Sequence, residues 1–281
     1  MIAKRQACVI GWPIDHSRSP LLHGFWLEKY GIPGRYDRIP VRPEDLSDFL
    51  HGFRARGLVG GNVTLPHKEA VFRQVTVRDP LTAKLGAVNT LYFEDDTLCG
   101  TSTDGYGFVA SIEQEVPDFT FSGARVTILG AGGASRSIIG VILEAGAQKI
   151  SVANRSLARA EQLRSDFGPQ VIPMEWGRAE DVLPGTDLLV NTTSLGMAGK
   201  APLTIDLAGL PGHAVVSDIV YVPLTTPLLT AARARNLRTV DGLGMLMHQA
   251  VPGFERWFGI RPEVTPELRA LLEADIEGRR L

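Results

Sequence analysis

Gly130-Ala131-Gly132-Gly133-Ala134-Ser135 stands between an apolar strand-like run, Arg125–Leu129, and a helical stretch running to about Ala145. Glycines at a strand-to-helix junction let the chain turn tightly and bring backbone N–H groups, with the positive end of the helix, against a pyrophosphate. Ser135 takes the place of the third glycine of the usual fingerprint and is small enough for close helix packing. After the next strand the chain reads Asn154-Arg155-Ser156-Leu157-Ala158-Arg159, with no carboxylate for a ribose 2′-OH. Arg155 and Arg159 suit a 2′-phosphate, which guanidinium groups bind through charge-assisted and often bidentate bonds, while Asn154 and Ser156 add neutral donors. The plain alternative is a tight turn followed by ordinary surface arginines. Side by side, the two features favour NADP as the cofactor, with Gly130, Ala131, Gly132, Gly133 and Ala134 forming the phosphate turn.

The first half of the chain carries polar clusters that core packing does not explain: Ser17-Arg18-Ser19-Pro20, Asn62-Val63-Thr64-Leu65-Pro66-His67-Lys68, Ala87-Val88-Asn89-Thr90 and Ser102-Thr103-Asp104-Gly105. Each lies just beyond a strand or at a helix start, and in parallel-rich α/β folds those ends converge on one crevice. Singly they have modest explanations: Ser17 and Ser19 as helix caps, Thr64 and Asn89 as turn residues, Lys68 as a surface lysine. His16 and His67 flank the same segments, so a histidine proton donor is the natural rival to Lys68. The six histidines show no spacing with acidic or cysteine partners that would hold a metal, and no Gly-x-Ser-x-Gly elbow is present. No metal is expected.

Short strands alternating with helices must position these groups. The spacing predicts strands at residues 7–11, 36–41 and 61–64, a helix near 20–30, and a hairpin at 88–93 and 97–100 turning at Asp95-Asp96. A helix at 106–115 and a loop to Gly123 lead to a β-α-β unit, residues 125–129, 135–145 and 149–153, with further strands at 187–191 and 214–218. Helices at 245–258 and 266–274 close the chain. The expected fold class is α/β, with an α/β substrate domain and a Rossmann-like doubly wound parallel-sheet domain.

The 281 residues suit two domains, and 44% apolar, 21% charged with a net charge of -2 describes an ordinary globular protein. Nothing suggests nucleic acid or membrane partners. Cys8 and Cys99 sit in apolar runs and read as small core residues. With Lys4 and Arg5 followed by only a short apolar stretch, a signal peptide is not expected, and the default location is cytoplasmic.

Ser17-x-Ser19-Pro20, Asn62-Val63-Thr64-x-Pro66-x-Lys68, Gly86-Ala87-Val88-Asn89-Thr90 and Asp241-Gly242-Leu243-Gly244-Met245 together resemble the shikimate dehydrogenase family, in order, from near residue 8 to near residue 258. The resemblance implies a substrate domain at residues 1–104 to which 242–281 return, an NADP domain at 105–241, and shikimate or 3-dehydroshikimate as the small-molecule partner of a monomer or homodimer. It implies that Ser17 and Ser19, with Tyr221, hold the substrate carboxylate. Thr64, Asn89, Asp104 and Gln249 would bind the ring hydroxyls and reacting oxygen. Lys68 would be catalytic, and Asp104 would hold its ammonium in place. The segment Asn191–Met197, including Thr192, would lie beside the cofactor, and Gly242 near the nicotinamide. The family usually has Asn where this chain has Ser102, which leaves the positioning of Asp104 less defined. The implied reaction is NADP-dependent reduction of 3-dehydroshikimate. Two alternatives stay open: a quinate or related dehydrogenase on the same fold, against which Ser19 and Arg155 count, and a non-catalytic sensor that keeps pocket and nucleotide site.

Overall fold

A computed structural model describes residues 5–279, so the ends of the expected first domain, residues 1–4 and 280–281, lie outside the described residues. The chain divides into two compact units, one running through Thr103 and taking in Gln249–Asp275, the other comprising Asp104–His248 with Ile276–Arg279.

The first unit contains β1 (Arg5–Gly11), α1 (Ser19–Lys29), β2 (Gly34–Pro40), α2 (Leu46–His51), β3 (Leu58–Val63), α3 (Lys68–Phe72), β4 (Thr76–Val77), α4 (Pro80–Leu85), β5 (Thr90–Glu94) and β6 (Thr97–Thr101). Its sheet runs β2-β1-β3-β5-β6-β4. β1 is parallel to both β2 and β3, so the segments after β1 and β3 leave the sheet at the same edge. β5 and β6 form the expected antiparallel hairpin, with Asp95 at positive φ in its turn. One face buries Cys8, Ile10, Phe49, Phe53, Val63 and Leu91. Gly60 on β3 has no side chain because Trp257 lies over it: a Cβ there would stand 2.0 Å from the indole Nε1, which donates to the Leu91 carbonyl at 2.8 Å.

The second unit holds α5 (Asp104–Glu115), β7 (Arg125–Leu129), α6 (Gly133–Glu144), β8 (Lys149–Asn154), α7 (Leu157–Phe167), β9 (Val171–Glu175), β10 (Leu188–Asn191), β11 (Val215–Asp218), α8 (Pro227–Ala234) and β12 (Arg238–Val240). All its pairings are parallel, in the order β12-β11-β10-β7-β8-β9. The winding reverses between β7 and β10, and in such sheets the ligand crevice opens beyond the strand ends at that reversal. The central strands are apolar throughout, as burial on both faces demands: Ile128, Leu129, Val152, Leu189, Val190 and Val216 are fully buried.

Two helices complete the chain, α9 (Gly242–Phe258) and α10 (Pro266–Ile276). α9 starts at Gly242, three residues earlier than the sequence pattern places it, because the Asp241 carboxylate accepts the Leu243 amide at 3.0 Å and offsets the poor helix propensity of the two glycines. The fold is α/β with a doubly wound parallel sheet in the second unit, as expected. Both cysteines are buried in the first unit. Among the described residues no helix is long and apolar enough to cross a membrane.

Candidate active site

Parallel pairing of β1 with β3 brings Thr64 beside the end of β1, where its amide donates to the Ile10 carbonyl at 2.9 Å. Gly11 makes room for it, since a Cβ there would stand 2.6 Å from the Thr64 methyl. Lys68 opens α3, half-buried, and its carbonyl accepts the Val88 amide, which ties that helix to the segment carrying Asn89.

Asn89 is the hub of the unit's polar network. Its carbonyl accepts from the Val63 amide at 2.8 Å and from Asn62 Nδ2 at 3.2 Å. Its side-chain Oδ1 accepts from Thr90 Oγ1 at 2.9 Å, from the Thr103 amide at 2.8 Å and from Thr103 Oγ1 at 3.1 Å. Three donors on one oxygen fix the amide's rotation, so Nδ2 faces away from them as a donor. Thr103 Oγ1 also lies 2.8 Å from the Gln249 carbonyl, bringing the half-buried Gln249 on α9 into the network. Tyr36 Oη donates to Asn62 Oδ1 at 2.6 Å, and burial pushes that phenol well above its ordinary range, so it remains a donor. Ser17, on the loop after β1, and Ser19, the first residue of α1, sit together, Oγ to Oγ 3.2 Å apart.

The network also shows how the chain manages with Ser102. The peptide before Asp104 is pinned residue by residue: the Thr101 carbonyl to the Asn89 amide, the Ser102 amide to Thr82 Oγ1 at 2.9 Å, and Thr103 to Asn89. Asp104 follows directly as the buried first residue of α5. Gly105 is required by packing, because a Cβ there would stand 2.3 Å from Val141 on α6.

Of the two histidines beside these segments, His67 is taken up in the first unit's own structure. His67 is buried and its Nε2 lies 2.8 Å from the Val41 carbonyl, an acceptor only, so that nitrogen carries its proton into a structural bond. His16 is exposed on the loop before Ser17.

In the second unit Gly130 takes φ +108°, a conformation favouring glycine, and a Cβ would meet Thr192 Oγ1 at 2.8 Å. Thr192 Oγ1 in turn donates to the Leu129 carbonyl at 2.8 Å, so the turn after β7 and the loop after β10 lie against each other. The Ala131 amide donates to Asn154 Oδ1 at 3.2 Å, joining the glycine turn to the arginine corner. Ser135 is fully buried and donates to the Gly132 carbonyl at 2.7 Å, the local bond that lets a hydroxyl replace the third glycine. A Cβ at Gly132 or Gly133 would meet nothing within 4 Å, which leaves the space in front of the α6 N-terminus open. Arg155 and Arg159 are exposed and have no carboxylate within ion-pair distance among the described residues.

Sequence reasoning did not single out the buried carboxylate behind these loops. Asp218 accepts from Asn191 Nδ2 at 2.9 Å, the Val220 amide at 3.1 Å and Thr226 Oγ1 at 2.7 Å. Burial raises its pKa despite those donors. Asn191 Oδ1 accepts from Thr193 in return, so one cluster holds the loop containing Thr192 and the loop containing half-buried Tyr221. Gly242 closes the same end, since a Cβ would stand 2.1 Å from the Ile219 carbonyl. The available signal was the Asp and Asn at the ends of adjacent parallel strands.

A doubly wound sheet with a glycine turn and an arginine corner, joined in one chain to an α/β unit carrying lysine, asparagine and threonine at its strand ends, defines a nicotinamide-nucleotide oxidoreductase. Three family models match: the shikimate dehydrogenase substrate binding domain over residues 9–91, shikimate / quinate 5-dehydrogenase over 111–197, and the shikimate 5′-dehydrogenase C-terminal domain over 242–272. The chain belongs to the shikimate dehydrogenase family. It is 54% identical to the shikimate dehydrogenase (NADP(+)) of Rhodopseudomonas palustris strain TIE-1, over 97% of this chain and 98% of that one. It is similar to shikimate 5-dehydrogenase of Thermus thermophilus, solved with NADP(H) and shikimate, at TM-score 0.83 and 31% identity over 98% of this chain and 99% of the other. Quinate dehydrogenase of Corynebacterium glutamicum, solved with NAD, shares the fold at TM-score 0.86 and 30% identity, over 96% of this chain and 98% of the other.

Proposed function

We propose that this protein catalyses the reversible, NADP-dependent reduction of 3-dehydroshikimate to shikimate, a step of aromatic amino acid biosynthesis. The observation that carries the choice of cofactor and reaction together is the pairing, in one chain of this family, of two arginines after β8, free of ion pairs among the described residues, with Lys68 at the start of α3 and the Asn89–Thr103 network. The reading includes a cytoplasmic location and a monomer or homodimer, with residues 1–104 and 242–281 handling substrate and 105–241 handling nucleotide.

The residues present fit NADP. Open space in front of Gly132 and Gly133 leaves α6 N–H groups available to a pyrophosphate, and Arg155 and Arg159, with Asn154 and Ser156, offer charge and donors to a 2′-phosphate. Ala131, Ala134, Thr192 and Gly242 would line the remaining length. The bound nucleotide supplies a hydride to the ketone carbon. On the protein's side, Lys68 presents an ammonium that stabilises negative charge growing on the carbonyl oxygen and gives it a proton. Asp104, the buried first residue of α5, accepts from a ring hydroxyl. Asn89 donates through Nδ2, its oxygen being fully engaged, and Thr64 and Gln249 bind the remaining hydroxyls. Ser17, Ser19 and Tyr221 take the carboxylate.

The test is NADPH absorbance after mixing the purified protein with shikimate and NADP⁺, crossed with quinate and NAD⁺, for wild type and Lys68→Ala. The expected result is turnover confined to shikimate with NADP⁺, falling about 10²–10⁴-fold in Lys68→Ala while nucleotide affinity stays unchanged. Preference for quinate or NAD⁺ would overturn the substrate or cofactor, binding without turnover would make the protein a sensor, and near-normal Lys68→Ala turnover would remove the lysine from the mechanism.

A further inference from the structure

Two arginines flank the Ser17–Ser19 loop, and the structure uses them differently. Arg18, between the serines, forms an ion pair with Asp275 of α10 at 2.8 Å, so its charge is compensated. Arg38 on β2 reaches the same loop and donates from Nε at 2.8 Å and from Nη2 at 2.5 Å to a single acceptor, the Ser17 carbonyl. No carboxylate lies within ion-pair distance of Arg38 among the described residues. Its neighbour Asp37 is occupied elsewhere, with Arg35 at 3.0 Å and Gln6 at 3.1 Å, as the alternation of side chains along a strand requires.

A forked guanidinium on one carbonyl fixes the orientation of the Ser17–Arg18 peptide as a single hydrogen bond does not. The Ser17 amide donates to the Ile14 carbonyl at 3.0 Å, so both sides of Ser17 are held. The two hydroxyls are held to each other, Ser17 Oγ donating to Ser19 Oγ at 3.2 Å and accepting from the Ser19 amide at 3.3 Å. Two hydroxyls on a fixed backbone beside an uncompensated positive charge form a site preorganised for an anion.

We propose that Arg38 is a positioning residue for the substrate carboxylate: it locks the backbone that aims the Ser17 and Ser19 hydroxyls, and its unpaired charge favours an anion there. The proposal rests on the reading that these serines take the carboxylate. It adds a residue on a different strand that acts through Ser17.

The test measures KM and kcat for shikimate, KM for NADP⁺, and the same constants for shikimate methyl ester, in wild type, Arg38→Ala, Arg38→Lys and Ser17→Ala. Arg38→Ala is expected to raise KM for shikimate about five- to thirtyfold, the size of one partly exposed charge-assisted hydrogen-bonding group, with kcat within about threefold. KM for NADP⁺ should not move, and KM for the ester, which keeps the hydroxyl contacts and lacks the charge, should rise less than that for shikimate. Arg38→Lys, which keeps the charge and loses the fork, should fall between, and the rise of shikimate KM with salt should be shallower in Arg38→Ala than in wild type. An unchanged shikimate KM in Arg38→Ala, with Ser17→Ala impaired, overturns the proposal alone. An equal loss with acid and ester, or with NADP⁺, also overturns it, because a scaffold defect does not select for charge. If Ser17→Ala leaves the shikimate KM unchanged, the carboxylate reading itself fails, whatever Arg38 does.

Discussion

Removing the two arginines after β8 should convert nucleotide preference without touching the substrate. Arg155 and Arg159 are exposed, and neither is held by a carboxylate among the described residues, so no ion pair must be broken before they meet a phosphate. A hydrogen bond to a charged group contributes about 1.5–3 kcal/mol, and exposure to solvent places each arginine at the low end. At about 1.5 kcal/mol, each substitution should weaken NADP⁺ about tenfold, and the double variant Arg155→Ala/Arg159→Ala about a hundredfold where the contributions add.

NAD⁺ has no 2′-phosphate, so its affinity should change by less than about threefold, since the glycine turn and the Ala131–Asn154 bond do not involve the arginine side chains. Fluorescence titration of both nucleotides into wild type and the three variants measures this directly, and steady-state rates at saturating shikimate check it. An equal loss of NADP⁺ and NAD⁺ affinity would refute the reasoning, because the arginines would then be supporting the fold of the corner. An unchanged NADP⁺ affinity would refute it too, by showing that the 2′-phosphate lies elsewhere.

Gly60→Ala should cost about 2–4 kcal/mol in a denaturant melt followed by tryptophan fluorescence, because the added methyl collides with the buried Trp257 indole and breaks its bond to Leu91; a loss under about 1 kcal/mol would show that the helix carrying Trp257 yields freely. His23 is fully buried and stacked 4.0 Å from the Tyr36 ring, and burial lowers its pKa to about 3. Because the unfolded chain binds that proton more readily, the contribution is complete above about pH 6.5 and is lost as pH falls toward 3. A His23→Leu variant should therefore lose less stability than wild type between pH 6.5 and 4, and parallel stability curves would contradict the burial argument.

The sequence is legible where one residue type has a single use. A glycine turn between a strand and a helix, followed by arginines where NAD sites carry an acid, leaves few alternatives, and the structure places Gly130 against Thr192 and Ala131 against Asn154. The hairpin is legible from the alternation around Asp95-Asp96. The stretches between the later strands are not, because their surface helices carry mostly polar faces: α7 buries only Ala160, Leu163 and Phe167, and the segment before β10 is a 3-10 turn of Trp176–Gly185 with no helical period to read. Propensity is weakest where packing supplies little.

What local pattern could not supply is the work of residues that never face a ligand. Thr103 looks like a spacer before Asp104, yet its amide and hydroxyl saturate the Asn89 oxygen and reach the Gln249 backbone. Arg38 looks like one charge among several on an edge strand, yet it holds the loop of Ser17 from a distance of 21 residues in sequence. In both cases the information lies in strand register: β5 and β6 bring Thr101 opposite Thr90, and β1 and β2 bring Arg38 opposite Val9. Register becomes visible only once pairing is known, because a one-residue slip moves each of these side chains to the other face. Groups that meet a ligand can therefore be read from residue type at strand ends, whereas the groups that aim them are fixed by cross-strand geometry and have to be read from the structure.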